Sequence, residues 1–400
     1  MSETKTELRR IADIVGVGEY PQEMEVFYEA LEPGVAAVDL DLIEKLQEEF
    51  NLFDEFYEQV KDVAVQLNAD SVRSAWVRTA AAYAMAGDEA QARKVPTPVS
   101  DGTPLMDYLP LYILIPQIPQ SAAEYKGRGF TDAEMPKIMD NYKAGIRITC
   151  QHTGRPGINP LYYGWLSLFT KCRLFYTPDG LQFEVKKLPP SALWLKSKKT
   201  GHILPLLLKG KVHASGAQLV GSAGYEDEEG AFDVSFSEDD VKFHGYAVVD
   251  NVVETAPRSF SKADWDCIAR PGDDCLGMHI PRKADISLGT VKEACAAARR
   301  IARERYPECN IGVIDCISWM LNPKLEEIMG SQSKLAGFMN CFVKYPNKDP
   351  GTAVFGFVFP KRYESYQTLP EDTSLRRKLK QLYIDGGCIH GYSGIIAIEE

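Results

Sequence analysis

The segment from residue 275 to residue 317 constrains the fold of this chain more than any other. An apolar run over residues 275–280 stops at Pro281, and a second apolar run covers residues 311–317. Between the two runs, apolar residues repeat at the spacing of an α-helix. A strand, a helix and a strand within about 40 residues form a βαβ unit. We therefore predict two parallel strands joined by a crossover helix.

The helix of this unit has clear signals at both ends. Thr290 and Glu293 stand three residues apart, as in a capping box, where each side chain bonds the backbone N–H of the other residue. Pro307 ends the helix because its ring cannot continue the hydrogen-bond ladder. The sequence thus predicts a helix over residues 290–306.

Two further apolar and aromatic segments follow the unit. Residues 336–344 and 352–359 flank a turn-forming stretch, Pro346–Gly351, and this pattern predicts a two-stranded hairpin. A βαβ unit followed by a helix and a hairpin is the element order in the second half of an acetyltransferase-type (GNAT) fold. In that fold the loop after the first strand of the unit holds the cofactor's pyrophosphate on a helix N-terminus.

The rest of the chain predicts two different kinds of structure. Residues 1–168 show helical periodicity. After them the period changes, since residues 172–176 and 181–185 alternate around a Pro-Asp-Gly turn. Farther along, Ser261–Ala269 is expected to form a short helix. We predict a two-domain chain of α+β or α/β class, in which an α-helical N-terminal domain precedes a mixed β-sheet domain with flanking helices. The predicted bounds are 1–168 for the helical domain, 169–360 for the sheet domain, and 361–400 for a C-terminal helix and strand packed on it.

Charge and cysteine usage exclude several classes of function. The net charge of −11 argues against non-specific nucleic-acid binding, which needs a surplus of Lys and Arg. The nine cysteines are scattered and form no CxxC pair, so we expect no metal site and no disulfide framework, but buried thiols in a reducing cytoplasm. The polar start of the chain lacks the apolar core of a signal peptide, and no run of about 20 apolar residues predicts a membrane span.

Several short motifs occur together and in order. They include Trp265, a Pro-Gly-Asp turn at Pro271, the stretch His279–Pro281, and Cys316–Pro323. Thr153–Arg155, Leu181–Glu184, Leu369–Leu375 and Gly386–Gly387 belong to the same series. Over roughly residues 120–400 the chain resembles a family of bacterial acyltransferase-domain proteins, which have a helical N-terminal domain and a GNAT-like C-terminal domain. The resemblance implies transfer of an acyl group from acyl-CoA or acetyl-CoA to the amine of a small molecule or peptide.

The loop after the first strand of the βαβ unit departs from the common acetyltransferase pattern. Those enzymes carry a Gln/Arg-x-x-Gly-x-Gly/Ala loop, whereas residues 282–290 contain one glycine. Asp285 in this loop would repel phosphates. The residues predicted to contact the cofactor are Arg282, Lys283, Ser287, Gly289 and Thr290; for the last three, a plain helix cap is the alternative.

Four residues at the ends of the two parallel strands are candidates for the chemistry. His279 lies near the end of the first strand, where ligands gather in such sheets, and a free imidazole titrates near pH 6.5, which suits a general base. Asp315 is either a carboxylate that orients His279 or a structural anchor. Ser318 either donates to a leaving thiolate or caps the next helix. Trp319 either lines an acyl or adenine pocket or packs in the core.

Competing functions remain open on the sequence alone. The weakened phosphate loop favours a non-catalytic ligand- or partner-binding protein on a GNAT-like scaffold. A hydrolase using Ser318 or Cys316 would be a third class, but the chain has no Gly-x-Ser-x-Gly nucleophile elbow. The acyltransferase hypothesis makes a geometric prediction: the two parallel strands should separate near Met278 and Val313.

Overall fold

The computed structural model describes residues 6–359 and 363–398. The chain divides into two compact units, Met1–Phe175 and Tyr176–Glu400. The finer domain bounds predicted from the sequence, 1–168, 169–360 and 361–400, stay predictions.

The first unit is helical, as predicted. Asp70 shows how the sequence places one of its helices: the carboxylate accepts hydrogen bonds from the backbone N–H groups of Val72 and Arg73, which caps the helix that begins at Ser71. That helix buries Trp76 completely. The helices are α1 (Glu7–Ile14), α2 (Met24–Glu29), α3 (Leu40–Phe50), α4 (Tyr57–Ala69), α5 (Ser71–Ala86), α6 (Glu89–Arg93), α7 (Pro104–Leu114), α8 (Ile118–Gly127), α9 (Met135–Thr153) and α10 (Pro160–Thr170).

Strands dominate the second unit, and helices flank them. The strands are β1 (Leu174–Tyr176, at the junction of the two units), β2 (Gln182–Lys187), β3 (Ala192–Ser197), β4 (Ile203–Leu207), β5 (Lys209–Val212), β6 (Phe232–Ser235), β7 (Ser237–Glu238), β8 (Lys242–Val249), β9 (Val252–Val253), β10 (Arg258–Ser261), β11 (Trp265–Ala269), β12 (Asp274–His279), β13 (Val313–Ser318), β14 (Val343–Pro346) and β15 (Tyr392–Ala397). The helices are α11 (Leu288–Arg305), α12 (Lys324–Met329), α13 (Lys334–Met339), α14 (Ala353–Val358) and α15 (Ser374–Ile384).

The main sheet is mixed, as the predicted fold class requires. Its strand order is β1-β2-β12-β13-β15-β14, and β12 pairs with β13 in parallel. On the outer sides, β12 pairs antiparallel with β2, and β13 pairs antiparallel with β15. The predicted βαβ unit is thus confirmed, with α11 as its crossover helix. A second sheet has the order β10-β8-β4-β3-β11.

The start of the crossover helix differs from the prediction. Helix α11 begins at Leu288, two residues before Thr290, with Ser287 at the N-cap position. Thr290 therefore lies inside the first turn and is not the cap of a capping box. Its hydroxyl bonds Asp285 and Ser287 instead.

The predicted hairpin after the unit is wrong. Residues 334–339 and 353–358 are helical, and only Val343–Pro346 forms a strand, which pairs with β15. Phe355 packs against Tyr383 of α15, with ring centroids 4.7 Å apart. Tertiary packing of this kind outweighs the β propensity of an aromatic segment.

The helix predicted over Ser261–Ala269 is also wrong. Trp265–Ala269 forms strand β11, which pairs with β3, and Phe260 of β10 packs edge-on against Trp265 at 5.3 Å. A strand partner about 70 residues earlier in the chain is not visible in local periodicity, so the apolar pattern alone was ambiguous.

Candidate active site

The parallel strands β12 and β13 stop pairing before either of them ends. Their register runs from Cys275–Val313 to Gly277–Asp315. Beyond that point β12 stays paired with β2 through His279, and β13 stays paired with β15 through Ser318. Pairing between the two strands therefore ends at Gly277 and Asp315, and we call the region between the strands beyond this pair the wedge.

The position of the wedge corrects one part of the prediction. Met278 lies just past the last parallel pair, as expected. Val313 does not, because it pairs with Cys275 at the closed end. The residue of β13 just past the last pair is Cys316.

Side chains on one face of the sheet form a polar cluster at the closed end of the wedge. Because side chains alternate along a strand and the register sets Gly277 opposite both Glu184 and Asp315, the cluster lies on one face of three neighbouring strands. The cluster, named the polar face below, consists of Glu184 and Lys186 from β2, His279 from β12 and Asp315 from β13.

His279 is held by a buried carboxylate. Its Nε2 lies 2.9 Å from Oε2 of Glu184. The Glu184 side chain is 8% exposed, whereas that of His279 is 31% exposed. A ring nitrogen that donates to a carboxylate carries the hydrogen in the neutral imidazole, which leaves the lone pair on Nδ1. The arrangement thus fixes the tautomer and orientation of a half-exposed imidazole.

Asp315 does not serve as the carboxylate on Nε2 of His279, the role that one reading of the sequence gave it. It forms an ion pair with Lys186, whose Nζ lies 2.6 Å from Oδ2 of Asp315. Oδ2 has no other polar partner among the described residues, so this contact with Lys186 is its one compensation for burial. Asp315 is nearly fully buried, so its charge depends on this cation.

A glycine makes the ion pair possible. Lys186 and Asp315 lie on strands that are separated by β12, and the lysine side chain crosses β12 at Gly277. A Cβ built on Gly277 would stand 2.8 Å from Cε of Lys186, closer than real side-chain contacts allow. The absence of a side chain at this position leaves room for the lysine to reach across the sheet.

Burial and charge oppose each other in this pair. Burial raises the pKa of the Asp315 carboxyl, and the Lys186 ammonium opposes the rise. Burial also lowers the pKa of Lys186, but the Asp315 carboxylate outweighs it, so that this pKa is raised. The raised pKa of Asp315 favours its neutral acid form, whereas the raised pKa of Lys186 favours its charged form. The 2.6 Å contact decides for the ionised pair, because a neutral carboxyl would leave the ammonium without its nearest counter-charge.

The loop predicted to bind phosphates is folded around its own carboxylate. Asp285 accepts hydrogen bonds from the hydroxyls of Ser287 and Thr290, both at 2.8 Å, and from the backbone N–H of Ser287. Lys334 of α13 adds an ion pair at 3.1 Å. These contacts hold the pKa of Asp285 well below its ordinary value, and the hydrogen bond from the Ser287 hydroxyl has the largest effect. Two of the predicted phosphate ligands thus already bind an internal anion.

The remaining predicted phosphate ligands face solvent. Arg282 and Lys283 are exposed, and Lys283 adopts a left-handed backbone conformation with φ of 71°. Gly289 lies in the first turn of α11, and a Cβ built on it would meet no atom within 4 Å. The N-terminal end of α11 therefore has open space beside it.

Ser318 and Trp319 take the structural positions that the sequence left as alternatives. The Ser318 hydroxyl accepts a hydrogen bond of 3.1 Å from the backbone N–H of Met320, so it caps the 3₁₀ turn Trp319–Leu321. Trp319 is 8% exposed and packs in an apolar cluster with residues of α12 and α15. Cys316 is buried, and burial raises the pKa of its thiol, which disfavours a nucleophilic thiolate.

The sequence-based prediction did not identify two residues of the polar face. Glu184 and Lys186 stand two apart in a strand, where they alternate with the buried residues Phe183 and Val185. Such a pair places two charges on one face of a strand in the interior of a sheet. That pattern is the signal that would have marked them.

Two other kinds of site are absent from residues 6–359 and 363–398. None of the helices there is both long enough and apolar enough to cross a lipid bilayer. In the same residues, His, Cys, Asp and Glu side chains form no group that could hold a metal ion.

Comparison with known proteins gives one sequence family and one set of similar folds. The family described as "GNAT-like C-terminal domain" matches residues 180–396, more than half of the chain. A solved acyltransferase in complex with decanoyl-CoA is similar to this chain with a TM-score of 0.66 and 14% sequence identity, covering 98% of this chain and 100% of that chain. A mutant acyltransferase in complex with octanoyl-CoA gives the same values. An acyltransferase in complex with decanoyl-CoA and teicoplanin has a TM-score of 0.65 at 15% identity, with the same coverage of both chains. No curated protein matches the chain. At these identities the solved structures establish the likeness of the fold.

Proposed function

This chain belongs to the GNAT-like C-terminal domain family, and from that premise we propose that it is an N-acyltransferase that moves an acyl group from acyl-CoA to an amine. The observation that carries the proposal is the wedge next to His279. An opening between two parallel strands can admit an extended pantetheine arm, and the imidazole at its edge can accept a proton from an attacking amine.

The choice of acyl-CoA as the donor has two supports. The solved acyltransferases of similar fold are complexes with octanoyl-CoA and decanoyl-CoA. In this chain the wedge opens toward the carboxyl ends of β12 and β13, the edge of a sheet at which ligands of α/β folds bind. We propose that the acyl thioester lies between Met278 and Cys316.

His279 is the proposed general base. The amine nitrogen attacks the thioester carbonyl carbon, a C–N bond forms, the C–S bond breaks, and the nitrogen loses one proton. We propose that Nδ1 of His279 takes this proton, since Nε2 donates to Glu184. The Glu184 carboxylate stabilises the imidazolium that results, as a buried carboxylate does behind a catalytic histidine.

Two groups complete the proposed chemistry. A backbone N–H of β12 that faces the wedge would polarise the thioester carbonyl. The Ser318 hydroxyl would donate a hydrogen bond to the leaving thiolate, because its oxygen accepts the Met320 N–H and its hydrogen can serve as a donor. The thiolate then takes a proton from solvent and the His279 imidazolium returns one to solvent, so the serine stays neutral. Ser318 and His279 belong to opposite faces of the sheet by strand alternation, which suits a thiol on one face and an amine on the other.

The proposed diphosphate contacts lie at the start of α11. Exposed Arg282 and Lys283 supply positive charge, and the first-turn N–H groups near Ser287, Gly289 and Thr290 face the open space beside the helix. Asp285 must then release the hydroxyls of Ser287 and Thr290, or share them through its exposed side.

The acceptor is proposed to be the amine of a small molecule or a peptide. One solved neighbour is a complex with the glycopeptide teicoplanin, which supports an acceptor of this kind. In this chain, the exposed Ile317 lies on the same face of the sheet as His279 and Asp315. An apolar side chain beside the proposed base favours an amine carried on a partly apolar scaffold.

One observation favours a second candidate, a non-catalytic binding protein on the same scaffold. The carboxylate of Asp285 accepts the hydrogen bonds that a diphosphate would need from Ser287 and Thr290. Under this alternative the chain would bind its ligand or partner without CoA.

Calorimetric titration separates the two candidates. Acetyl-CoA, octanoyl-CoA and decanoyl-CoA are titrated in turn into the full chain and into two variants, Gly289→Trp and Gly164→Trp. Both glycines lie in helices, and a Cβ built on either meets no atom within 4 Å, so both variants should fold. We expect the wild type and Gly164→Trp to bind at least one acyl-CoA, and Gly289→Trp to lose at least tenfold in affinity. Absence of binding by the folded wild type would remove the proposal.

A further inference from the structure

The Lys186–Asp315 pair lies on the polar face but takes no part in the proposed proton transfer. A buried ion pair is a costly arrangement, and apolar residues of similar volume would often hold the same space at no loss of stability. Its position is specific: it joins β2 to β13 across the last residue at which β12 and β13 pair.

The charges that surround His279 come from three strands. Glu184 and Lys186 lie on β2, and Asp315 lies on β13. Tyr345 of β14 is close enough to feel both charges of the ion pair. Asp315 in turn is acted on by Lys186, by His279 and by Glu184, in that order of strength. The four residues of the polar face therefore form one electrostatic unit.

The charge balance of this unit depends on the ion pair. With His279 neutral, the two carboxylates and one ammonium sum to one negative charge, and that charge belongs to the carboxylate that holds the ring. If Lys186 lost its charge while Asp315 kept its own, a second negative charge would favour a protonated ring. If Asp315 lost its charge while Lys186 kept its own, the remaining cation would make the ring a weaker base. The pair cancels both effects.

We propose that Lys186 and Asp315 act on His279 as one unit: their charges cancel at the ring, so that the carboxylate of Glu184 is the net charge that the imidazole experiences. The role rests on the proposed function of His279, but its electrostatic basis does not. Lys186 holds Asp315 ionised, Gly277 lets the lysine reach it, and Glu184 orients the ring.

The test measures the titration of His279 in the absence of any substrate. The full chain is labelled at histidine Cε1, and the ring signals are followed by NMR from about pH 5 to about pH 9. The chain has six histidines, and the variant His279→Gln assigns the signal. Because no acyl-CoA and no amine are present, failure of this test is distinct from failure of the proposed function.

Two variants give opposite predictions. Asp315→Asn removes a negative charge and leaves the cation, so we expect the midpoint of the His279 titration to fall by about one pH unit. Adding Lys186→Met to that variant removes the cation too, and we expect the midpoint to return to within about 0.3 units of the wild-type value. In the comparison of Asp315→Asn with the double variant, no Asp315 carboxyl is present to take up a proton. The direction of the expected shift in the His279 midpoint therefore depends only on the charge of Lys186.

A control and a second readout protect the conclusion. Lys187→Met removes a lysine from the same strand, but this side chain is 67% exposed and pairs with Asp274 at 2.7 Å on the other face. We expect it to leave the midpoint unchanged.

Circular dichroism verifies that each variant folds. If Asp315→Asn does not fold, the double variant Lys186→Met with Asp315→Leu replaces both charges by apolar groups, and it should also titrate like the wild type. A midpoint that is the same in wild type and Asp315→Asn, or a double variant that stays at the value of Asp315→Asn, would overturn the proposal. In the apolar double variant, a midpoint that moves by one unit or more would overturn it as well.

Discussion

The side chain of Lys186 lies across Gly277, so close that a Cβ at Gly277 would stand 2.8 Å from Cε of the lysine. The missing side chain on one strand therefore makes room for the charged side chain of another. Since the last parallel pair of the sheet is Gly277–Asp315, the same contact marks the closed end of the wedge.

The first prediction concerns the stability of the variant Gly277→Ala. The added methyl group should push the flexible end of Lys186 away and leave Asp315 buried without its cation. We expect the free energy of unfolding to fall by about 1–3 kcal/mol, the cost of leaving one buried polar group unsatisfied. Urea unfolding monitored by circular dichroism measures it.

Gly312→Ala is the matched control, because a Cβ built there meets only the backbone oxygen of Ile268 at 3.8 Å, an ordinary contact. We expect its stability to stay within about 0.5 kcal/mol of the wild type. Equal stability of the two variants would show that the lysine gives way at no cost.

The second prediction concerns the catalytic pair. His279→Gln should lower kcat/KM for acyl transfer by about 10²- to 10⁴-fold, the usual contribution of a general base. Glu184→Gln keeps a hydrogen-bond acceptor for the ring but removes the charge that stabilises the imidazolium. We expect a smaller loss of roughly 10- to 100-fold, equivalent to one to two pH units of basicity. Steady-state kinetics with a fixed amine measure both losses.

Acyl-CoA affinity is the control for the catalytic pair, since neither residue is proposed to contact the diphosphate. Calorimetry should give dissociation constants within about twofold of the wild type for both variants. A Glu184→Gln variant with full activity would exclude a role for this carboxylate in the reaction.

The third prediction concerns the loop carboxylate. Asp285→Asn removes a negative charge from the loop just before α11, where phosphates are proposed to bind. We expect acyl-CoA affinity to rise by about two- to fivefold, since the carboxylate and the phosphates compete for the same helix N-terminus. The gain should shrink at high salt, because the side chain is half-exposed. Affinity that is unchanged or lower at every salt concentration would place the diphosphate elsewhere.

The fourth prediction follows from the low pKa of Asp285. The hydrogen bonds from Ser287 and Thr290 and the ion pair with Lys334 hold this pKa below its ordinary value of 3.8. A carboxyl whose folded pKa is depressed stabilises the fold above its unfolded pKa and loses that contribution as the pH falls. The stability difference between wild type and Asp285→Asn should therefore be full at about pH 6 and should decrease below pH 3.8. Urea unfolding across this range tests the sign; a difference that grows on acidification would contradict it.

The βαβ unit of the second unit was predictable because it depends on local signals. The apolar runs of β12 and β13 and the Pro307 stop required no knowledge of distant residues. Segments without such signals failed. Residues 353–358 have the composition of a strand, and only their packing against α15 makes them helical.

The site was predictable to the extent that it lies on the βαβ unit. His279 and Asp315 were identified as chemically important because polar residues end or interrupt buried strands there. Their partners were not, since Glu184 lies 95 residues before His279 and meets it only through the register of β2 with β12. Register between strands so far apart in sequence is set by the whole sheet, so a local pattern cannot give it.

The measurement that tests the central claim most directly follows the products of the reaction by mass spectrometry. Decanoyl-CoA is incubated with the full chain, either together with one primary amine from a panel or without any amine. Mass detection is preferable to a thiol reagent, because the protein itself carries nine cysteines. We predict that one acylated amine forms for each free CoA released, that release requires the amine, and that His279→Gln abolishes most of both. Release of CoA without an amine, or equal product from His279→Gln, would contradict the account.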